Sequence, residues 1–507
     1  MPNKFIKISF SKFVSYLTQK HKNKGIILIK KGEILKLEIT DYAFEGKGIA
    51  RIALEEKGDK NFIVFVKGAY PGDVVEARII KKKKSFAEAR IVKHIQSAKD
   101  RVFAKCKYFG SCGGCKQQDL DYQKQLFYKE EQVKDIFERL GGFTDFEILP
   151  ILSSDNQFYY RNKMEFSFAD KRWIPKEEFD SGEEIKDRNF ALGLHIPRIF
   201  DKVLDIDECF LQSELSNKIV NFTRDFFKRR NVSIYSTKTH EGFLRNLVIR
   251  QAFHSDDVMV NLVTSSEDKN LMEEFSNELI NEIPKVTTVI NNVNLRKAQV
   301  AVGDFENVYF GTGVIYDSIG EYKFRISANS FFQTNTLQGE KLYQTALDFA
   351  DFSGDEIVYD LYSGAGTISA FISKNVKKVY GVEAVDSAVK DAKSNVKLNN
   401  IGNTEFLKAD LNRSFLPIIE HKNIPKPDVI IADPPRSGMN PKTVKDIIRL
   451  NPAKIVYVSC NPTTQVRDIK SLAENGYKLI KIKPVDMFPN TYHIENIALL
   501  IKTEAKF

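Results

Sequence analysis

Cysteine is scarce in this chain, with five residues in 507. That excludes a disulfide-built scaffold, which would need far more cross-links for its length. Long apolar runs are also missing, so no segment reads as a membrane-spanning helix and a soluble, cytoplasmic protein is expected. Tryptophan occurs once, as Trp173. The segment 1–32 lacks arginine and acidic side chains altogether but holds eight lysines, Lys4 to Lys31. They account for +8 of the net charge of +9, so the rest of the chain carries about 9 − 8 = +1 and its basicity is local. A transit peptide would favour arginine, which this extension does not have.

What is present is an ordinary globular composition, 42% hydrophobic and 28% charged. The length exceeds what one core can serve and suggests roughly three domains. Residues 33–95 show short β-rich runs separated by glycine, among them Ile34–Ile39, Phe62–Val66 and Val74–Ile80, as expected of a small barrel. Lys81 to Lys84 form a second basic run, suited to phosphate contact or to a solvated loop. A helix is expected over Leu120 to Leu140, ending at Gly141-Gly142. Residues 96–325 mix strand-like and helical segments. From about 326 the pattern repeats strand, glycine loop and helix, the mark of a doubly wound α/β domain.

Two strand ends in that last region carry the chemistry. The run Ile357-Val358-Tyr359-Asp360-Leu361 leads into Tyr362-Ser363-Gly364-Ala365-Gly366-Thr367, where two glycines allow close approach of a ligand at a helix N-terminus. The next strand ends at Glu383, placed to accept both ribose hydroxyls of a nucleoside cofactor. A dinucleotide fits poorly, because Ser369 stands where a third glycine is needed. With Asp410 and Asp433-Pro434-Pro435-Arg436 at the ends of later strands, the pattern favours S-adenosylmethionine. The other strand end is Lys454–Val458, an apolar run that leads into Ser459-Cys460-Asn461-Pro462. A lone cysteine is usually a small buried hydrophobe. One in a polar context at the end of a parallel strand is placed as a nucleophile instead. Of the other four, Cys106, Cys112 and Cys115 share one glycine-rich loop, and Cys209 is the only remaining fourth ligand. Four thiolates can hold zinc or an iron–sulfur cluster, and the spacing does not separate the two.

These segments together resemble the RNA uridine-C5 methyltransferase family, most closely its bacterial 23S ribosomal members with a TRAM domain and an iron–sulfur cluster. The resemblance rests on Asp41–Arg51 with Phe65–Gly72, Cys106-x5-Cys112-x2-Cys115, Tyr160–Lys163, Gly242–Arg245, Ser330–Asn335, Asp360–Gly366, Asp433–Gly438, Ser459–Thr463 and Met487–Glu495. It implies a basic extension (1–32), an OB-like TRAM barrel (33–95), a central α+β domain with the cysteine cluster (96–325) and a class I, Rossmann-like methyltransferase domain (326–507). It implies further that Cys460 adds to carbon 6 of a uridine and that Glu495 removes the carbon-5 proton after methyl transfer. Gln333, Tyr362, Glu383 and Asp433 would contact S-adenosylmethionine, while Thr367 stands where the family often has asparagine. Cys106, Cys112, Cys115 and Cys209 would hold a 4Fe-4S cluster. The expected substrate is 23S ribosomal RNA, the tRNA branch being taken to lack both barrel and cysteine quartet. A tRNA enzyme and a non-catalytic RNA-binding assembly factor are the alternatives.

Overall fold

The computed structural model describes residues 29–503, apart from 54–60, 186, 198 and 299. Most of the basic extension lies outside the described residues. The chain divides into two compact units, residues 1–101 and 102–507.

The first unit is a single six-stranded sheet in the order Ile34–Glu38, Val74–Lys82, Phe86–Gln96, Phe62–Lys67, Lys47–Ile52, Asp41–Ala43. Alternate residues point inward, and Leu37, Val64, Val66, Val75, Ala77, Ile79, Ala87 and Ala89 form its core. The buried Asp73 carboxylate ties off one end by accepting from Arg101 and from the amides of Tyr70 and Ala98. Lys81 to Lys84 are exposed at the tip of the hairpin between Val74–Lys82 and Phe86–Gln96.

The second unit contains two large sheets. A mixed seven-stranded sheet spans Lys163–Phe310, covered by the helices Glu214–Arg229 and Lys269–Glu282. Its core is rich in phenylalanine, with Phe166, Phe226, Phe227 and Phe275 fully buried. The other sheet runs Thr404–Lys408, Lys378–Glu383, Ile357–Leu361, Val429–Ala432, Lys454–Ser459, Glu495–Lys502, Tyr477–Val485. Numbered along the chain, that order is 3-2-1-4-5-7-6, with the last strand antiparallel to both neighbours. The central strands are apolar and buried on both faces, as parallel strands sandwiched by helices must be. This is the expected methyltransferase fold, preceded by a TRAM-type barrel.

Two elements from earlier in the chain accompany this sheet, one joining its edge and one a separate two-stranded sheet packed in its core. The short strand Glu147–Ile148 extends its edge beside Tyr477–Val485. The hairpin Val314–Ile319 with Tyr322–Ser327 places Ile315, Ile319 and Phe324 in the same hydrophobic cluster as Val358, Val379 and Val456. The helix expected before Gly141 runs Tyr122–Asp135 and continues as a π-helical turn to Gly141, capped by Gly142 at φ 75°. No helix among the described residues is long and apolar enough to cross a membrane.

Candidate active site

Cys460 is fixed by its own motif. The strand Lys454–Ser459 ends one residue before it, and Asn461 caps the next helix by accepting the Thr463 N–H at 3.1 Å, with Pro462 in the first turn. A cap residue and a proline leave the chain no option but to turn from strand into helix there. Asn461 Nδ2 also donates to the carbonyl of Arg436 (3.1 Å), tying this turn to the Asp433–Arg436 loop. In that loop Gly438, at φ 75°, has no room for a side chain, because a Cβ would meet Arg467 Nη2 at 2.6 Å and Asp468 Oδ2 at 2.7 Å. Glu495 opens the neighbouring antiparallel strand, where Asn496 pairs with Ser459.

Cys460, Glu495, Asp433 and Arg436 thus meet at one sheet end, where Asp433 and Arg436 act electrostatically on both Cys460 and Glu495, and Glu495 acts on Cys460. Burial first, then Glu495 and Asp433, push the Cys460 thiol up to about 12, against the pull of Arg436. Burial and Asp433 likewise raise the Glu495 carboxyl far above the carboxylate range. His493, two residues before Glu495, is pulled down to about 4 by burial and by Arg436, Lys129, Arg161 and Lys116. The resting site therefore holds a protonated thiol and a neutral imidazole, beside a Glu495 carboxyl whose ionisation burial disfavours.

The neighbouring strand ends form a second half of the same cleft. Glu383 is oriented by two backbone amides, Gly364 N–H to Oε2 (3.0 Å) and Val385 N–H to Oε1 (2.7 Å). Asp360 is buried, accepts from Ser369 Oγ at 2.5 Å, and is raised to about 7 by burial. Asp433 is likewise held at about 7, by burial and then by Asp360. Gln333 is 9% exposed, and nearby the buried Tyr343 hydroxyl pairs with Thr367 Oγ1 at 2.9 Å. Tyr362 holds a φ of 65°, uncommon for a bulky residue.

The cleft suits a nucleoside-type cofactor on three counts. A Cβ at Gly364 would meet open space, so the loop leaves room at that point. Asp360 Oδ1 and Ser363 Oγ are buried polar atoms with no partner in the protein. The Glu383 carboxylate closes the next strand where a ribose is ordinarily held. Sequence reasoning missed Tyr343, Asp360 as an unsatisfied acceptor, and the cations Lys116, Lys129 and Arg161. Arg161 and Asp360 lie within recognised motifs but without an assigned role, while Tyr343, Lys116 and Lys129 have no local motif that announces them.

The other four cysteines converge from two loops. Tyr108 Oη and Lys107 Nζ both bond Asp207, at 2.5 and 2.9 Å, which joins the Cys106–Cys115 loop to the segment carrying Cys209. Gly113 packs so closely that a Cβ would lie 2.5 Å from the carbonyl of His195. Burial raises all four thiols, Cys115 to about 12 and Cys209 to about 11, and repulsion from neighbouring acidic groups, mostly others in the set, adds to each. Two sulfurs already accept protein N–H groups, Cys112 from Gly114 at 3.3 Å and Cys115 from Gln118 at 3.1 Å. Among the described residues, no three His, Cys, Asp or Glu side chains are grouped to hold a metal ion.

Comparison with known proteins decides the family. Residues 252–503 match the family described as tRNA (uracil-5-)-methyltransferase, and residues 29–92 match the TRAM domain. An uncharacterized RNA methyltransferase of Chlorobaculum tepidum is 42% identical over 480 residues, 94% of this chain and 98% of that protein. One from Clostridium tetani is 39% identical over 477 residues, with the same coverage. The chain belongs to the RNA uracil-C5 methyltransferase family. It is a transferase that uses S-adenosylmethionine on RNA. A solved structure, Pyrococcus abyssi tRNA (uracil-54, C5)-methyltransferase in complex with S-adenosyl-L-homocysteine, has a TM-score of 0.70 and 29% identity. It matches 92% of this chain and all of that one. The second unit, 102–507, is too short to supply a 92% match by itself, so the match extends into the first unit. The expectation that the tRNA branch lacks this first unit gains no support from that match.

Proposed function

We propose that this enzyme methylates carbon 5 of a uridine in 23S ribosomal RNA, in the cytoplasm, with Cys460 as nucleophile and Glu495 as base. The observation that carries the mechanism is the meeting of Cys460 and Glu495 at adjacent strand ends, beside the glycine loop and Glu383. Carbon 5 of uracil is too electron-poor to attack a methyl sulfonium unaided. Addition of the Cys460 thiolate to carbon 6 makes it nucleophilic, once the base has been turned out of its stack. The cofactor supplies the methyl group. Glu495 then takes the carbon-5 proton and the thiol leaves. Burial makes Glu495 a strong base for that step. Arg436 favours the ionised form of both Cys460 and Glu495, the form in which each acts.

We assign Cys106, Cys112, Cys115 and Cys209 to a 4Fe-4S cluster. Four buried thiols that act on one another from two converging loops suit a zinc ion or a cluster, and the resemblance carried by Cys106-x5-Cys112-x2-Cys115 favours the cluster. N–H donors to two of the sulfurs are what such clusters ordinarily receive. Methyl transfer needs no electron, so the group is structural. The likeness to the archaeal tRNA enzyme favours a second reading, uridine methylation in tRNA.

One experiment tests mechanism and substrate together. Glu495→Gln, given radiolabelled cofactor and either 23S rRNA or tRNA, should stall as a slow, labelled protein–RNA band with 23S rRNA. Cys460→Ala should give none with either. A band with tRNA alone would transfer the reading to tRNA. Turnover of Glu495→Gln near the parent rate would move the base elsewhere, with neutral His493 the next candidate.

A further inference from the structure

The four-cysteine site and the reaction cleft are joined by one short relay. Cys115 is followed directly by Lys116 and Gln117, and both their amides donate to the carbonyl of Asn490, at 2.8 and 3.0 Å. Gln118 bonds back to the cysteine loop, Nε2 to Cys115 Sγ and Oε1 from Cys106 N–H, each at 3.1 Å. Lys116 Nζ closes the same loop by donating to the carbonyls of Cys112 and Gly113.

Asn490 is gripped from the other side as well. Gln125, 1% exposed, accepts the Asn490 N–H at 2.9 Å and donates to its Oδ1 at 3.3 Å. The same Gln125 amide donates to Gln117 O at 2.9 Å, so one side chain binds both partners of the relay. Asn490 Nδ2 reaches Gln157 O at 2.8 Å. Its φ of 64° is a left-handed conformation that asparagine tolerates better than most residues.

The loop that contains Asn490 leads straight into Glu495, and between Asp486 and Ile494 it has neither helix nor strand to support it. Its carbonyls are held mainly by groups from residues 116–160: Phe488 by Lys129 Nζ (3.3 Å), Pro489 by the Tyr160 hydroxyl (3.0 Å), and Asn490 by the Lys116 and Gln117 amides. A loop held in this way takes its shape from its neighbours.

We propose that Asn490 is the positioning residue through which the filled four-cysteine site sets the loop Phe488–Ile494 and thereby aims Glu495. This rests on the proposed function for both the cluster and the base. The inorganic group fixes Cys115, Cys115 fixes the Lys116 and Gln117 amides, and these fix Asn490, five residues before Glu495. Emptying the cysteine site then slows proton removal before it affects cofactor binding.

The test compares amide hydrogen exchange in the full chain, kept anaerobic, after reconstitution with ferrous iron and sulfide and after iron removal by chelation. Loss of iron should speed exchange across 488–494 at least tenfold and leave the strand Thr404–Lys408 unchanged. Asn490→Gly, in which glycine accepts the left-handed backbone without strain, should keep the parent's iron content and show the same faster exchange. Its covalent protein–RNA adduct should decay at least tenfold more slowly, with methyl transfer within threefold of the parent. Exchange in 488–494 within twofold in the two iron states would overturn the proposal, as would a parental adduct lifetime in Asn490→Gly. A chain that takes up no iron, or forms no adduct, would instead remove the cluster or the mechanism on which it rests.

Discussion

The charge state of Cys460 gives a prediction that needs neither RNA nor cofactor. Its thiol is raised from an ordinary 9.0 to about 12, chiefly by burial and then by Glu495 and Asp433. At pH 7 an ordinary thiol of that kind is about 1% thiolate, whereas one at about 12 is ionised in roughly one molecule in 10⁵. The thousandfold loss of thiolate is partly offset, because a thiolate of higher pKa is intrinsically more nucleophilic. With a Brønsted slope of about 0.4–0.5, three units return roughly 15- to 30-fold. Alkylation of Cys460 by iodoacetamide at pH 7 should therefore be about 30- to 60-fold slower than for an unperturbed cysteine, before any steric effect. Its rate should climb about tenfold per pH unit from 7 to 10, with no plateau. Quantifying the modified Cys460 peptide by mass spectrometry across that range reads both features. Arg436→Ala should slow the reaction further, since Arg436 is the charge that favours the thiolate. A plateau below pH 10, or a neutral-pH rate equal to that of a free thiol, would refute the reasoning. It would mean that the resting enzyme keeps a poised thiolate.

Two further outcomes follow from other parts of the chain. Lys129 and Asp486 form a buried ion pair, 1% and 0% exposed and 2.5 Å apart, that Tyr122 Oη joins at 2.9 Å. Lys129→Ala should cost about 3–5 kcal/mol of stability, because it leaves a buried carboxylate unpaired, while Lys129→Met with Asp486→Leu should recover most of the loss. Urea unfolding of the second unit measures both, and a single-mutant cost below about 1 kcal/mol would show that water reaches Asp486. Replacing Lys82, Lys83 and Lys84 with alanine should reduce the slope of log affinity for RNA against log salt by about 2, at roughly 0.7 per phosphate contact. An unchanged slope would make that hairpin tip a solvated turn.

The overlap with a tRNA enzyme has a physical basis. A small barrel presenting lysines reads phosphates, and every RNA offers the same phosphates. Such a barrel raises affinity for any RNA without naming a substrate. Choice between a ribosomal and a transfer RNA must come from surfaces that meet bases, where stacking and edge contacts carry sequence information.

Legibility in the sequence followed the range of the interactions involved. Ser459–Pro462 was readable because a cap, a proline and a strand end are decided within one short motif. The same holds for the glycine loop with Glu383, whose partner Gly364 is 19 positions away in the loop that follows the adjacent strand. The hairpin Val314–Ser327 and the edge strand Glu147–Ile148 were harder, since a short apolar run does not say which sheet it will join. The clamp on the Glu495 loop was not readable at all. Gln125 meets Asn490 across 365 positions, and Lys129 meets Asp486 across 357. On its own helix each looks like a polar surface residue, because Gln and Lys are ordinary helix formers that are seldom buried. Only tertiary pairing gives them buried partners. The segment Met487–Glu495 could thus be recognised as the place of a base, while the reason it holds one shape lay far upstream, on the helix Tyr122–Asp135.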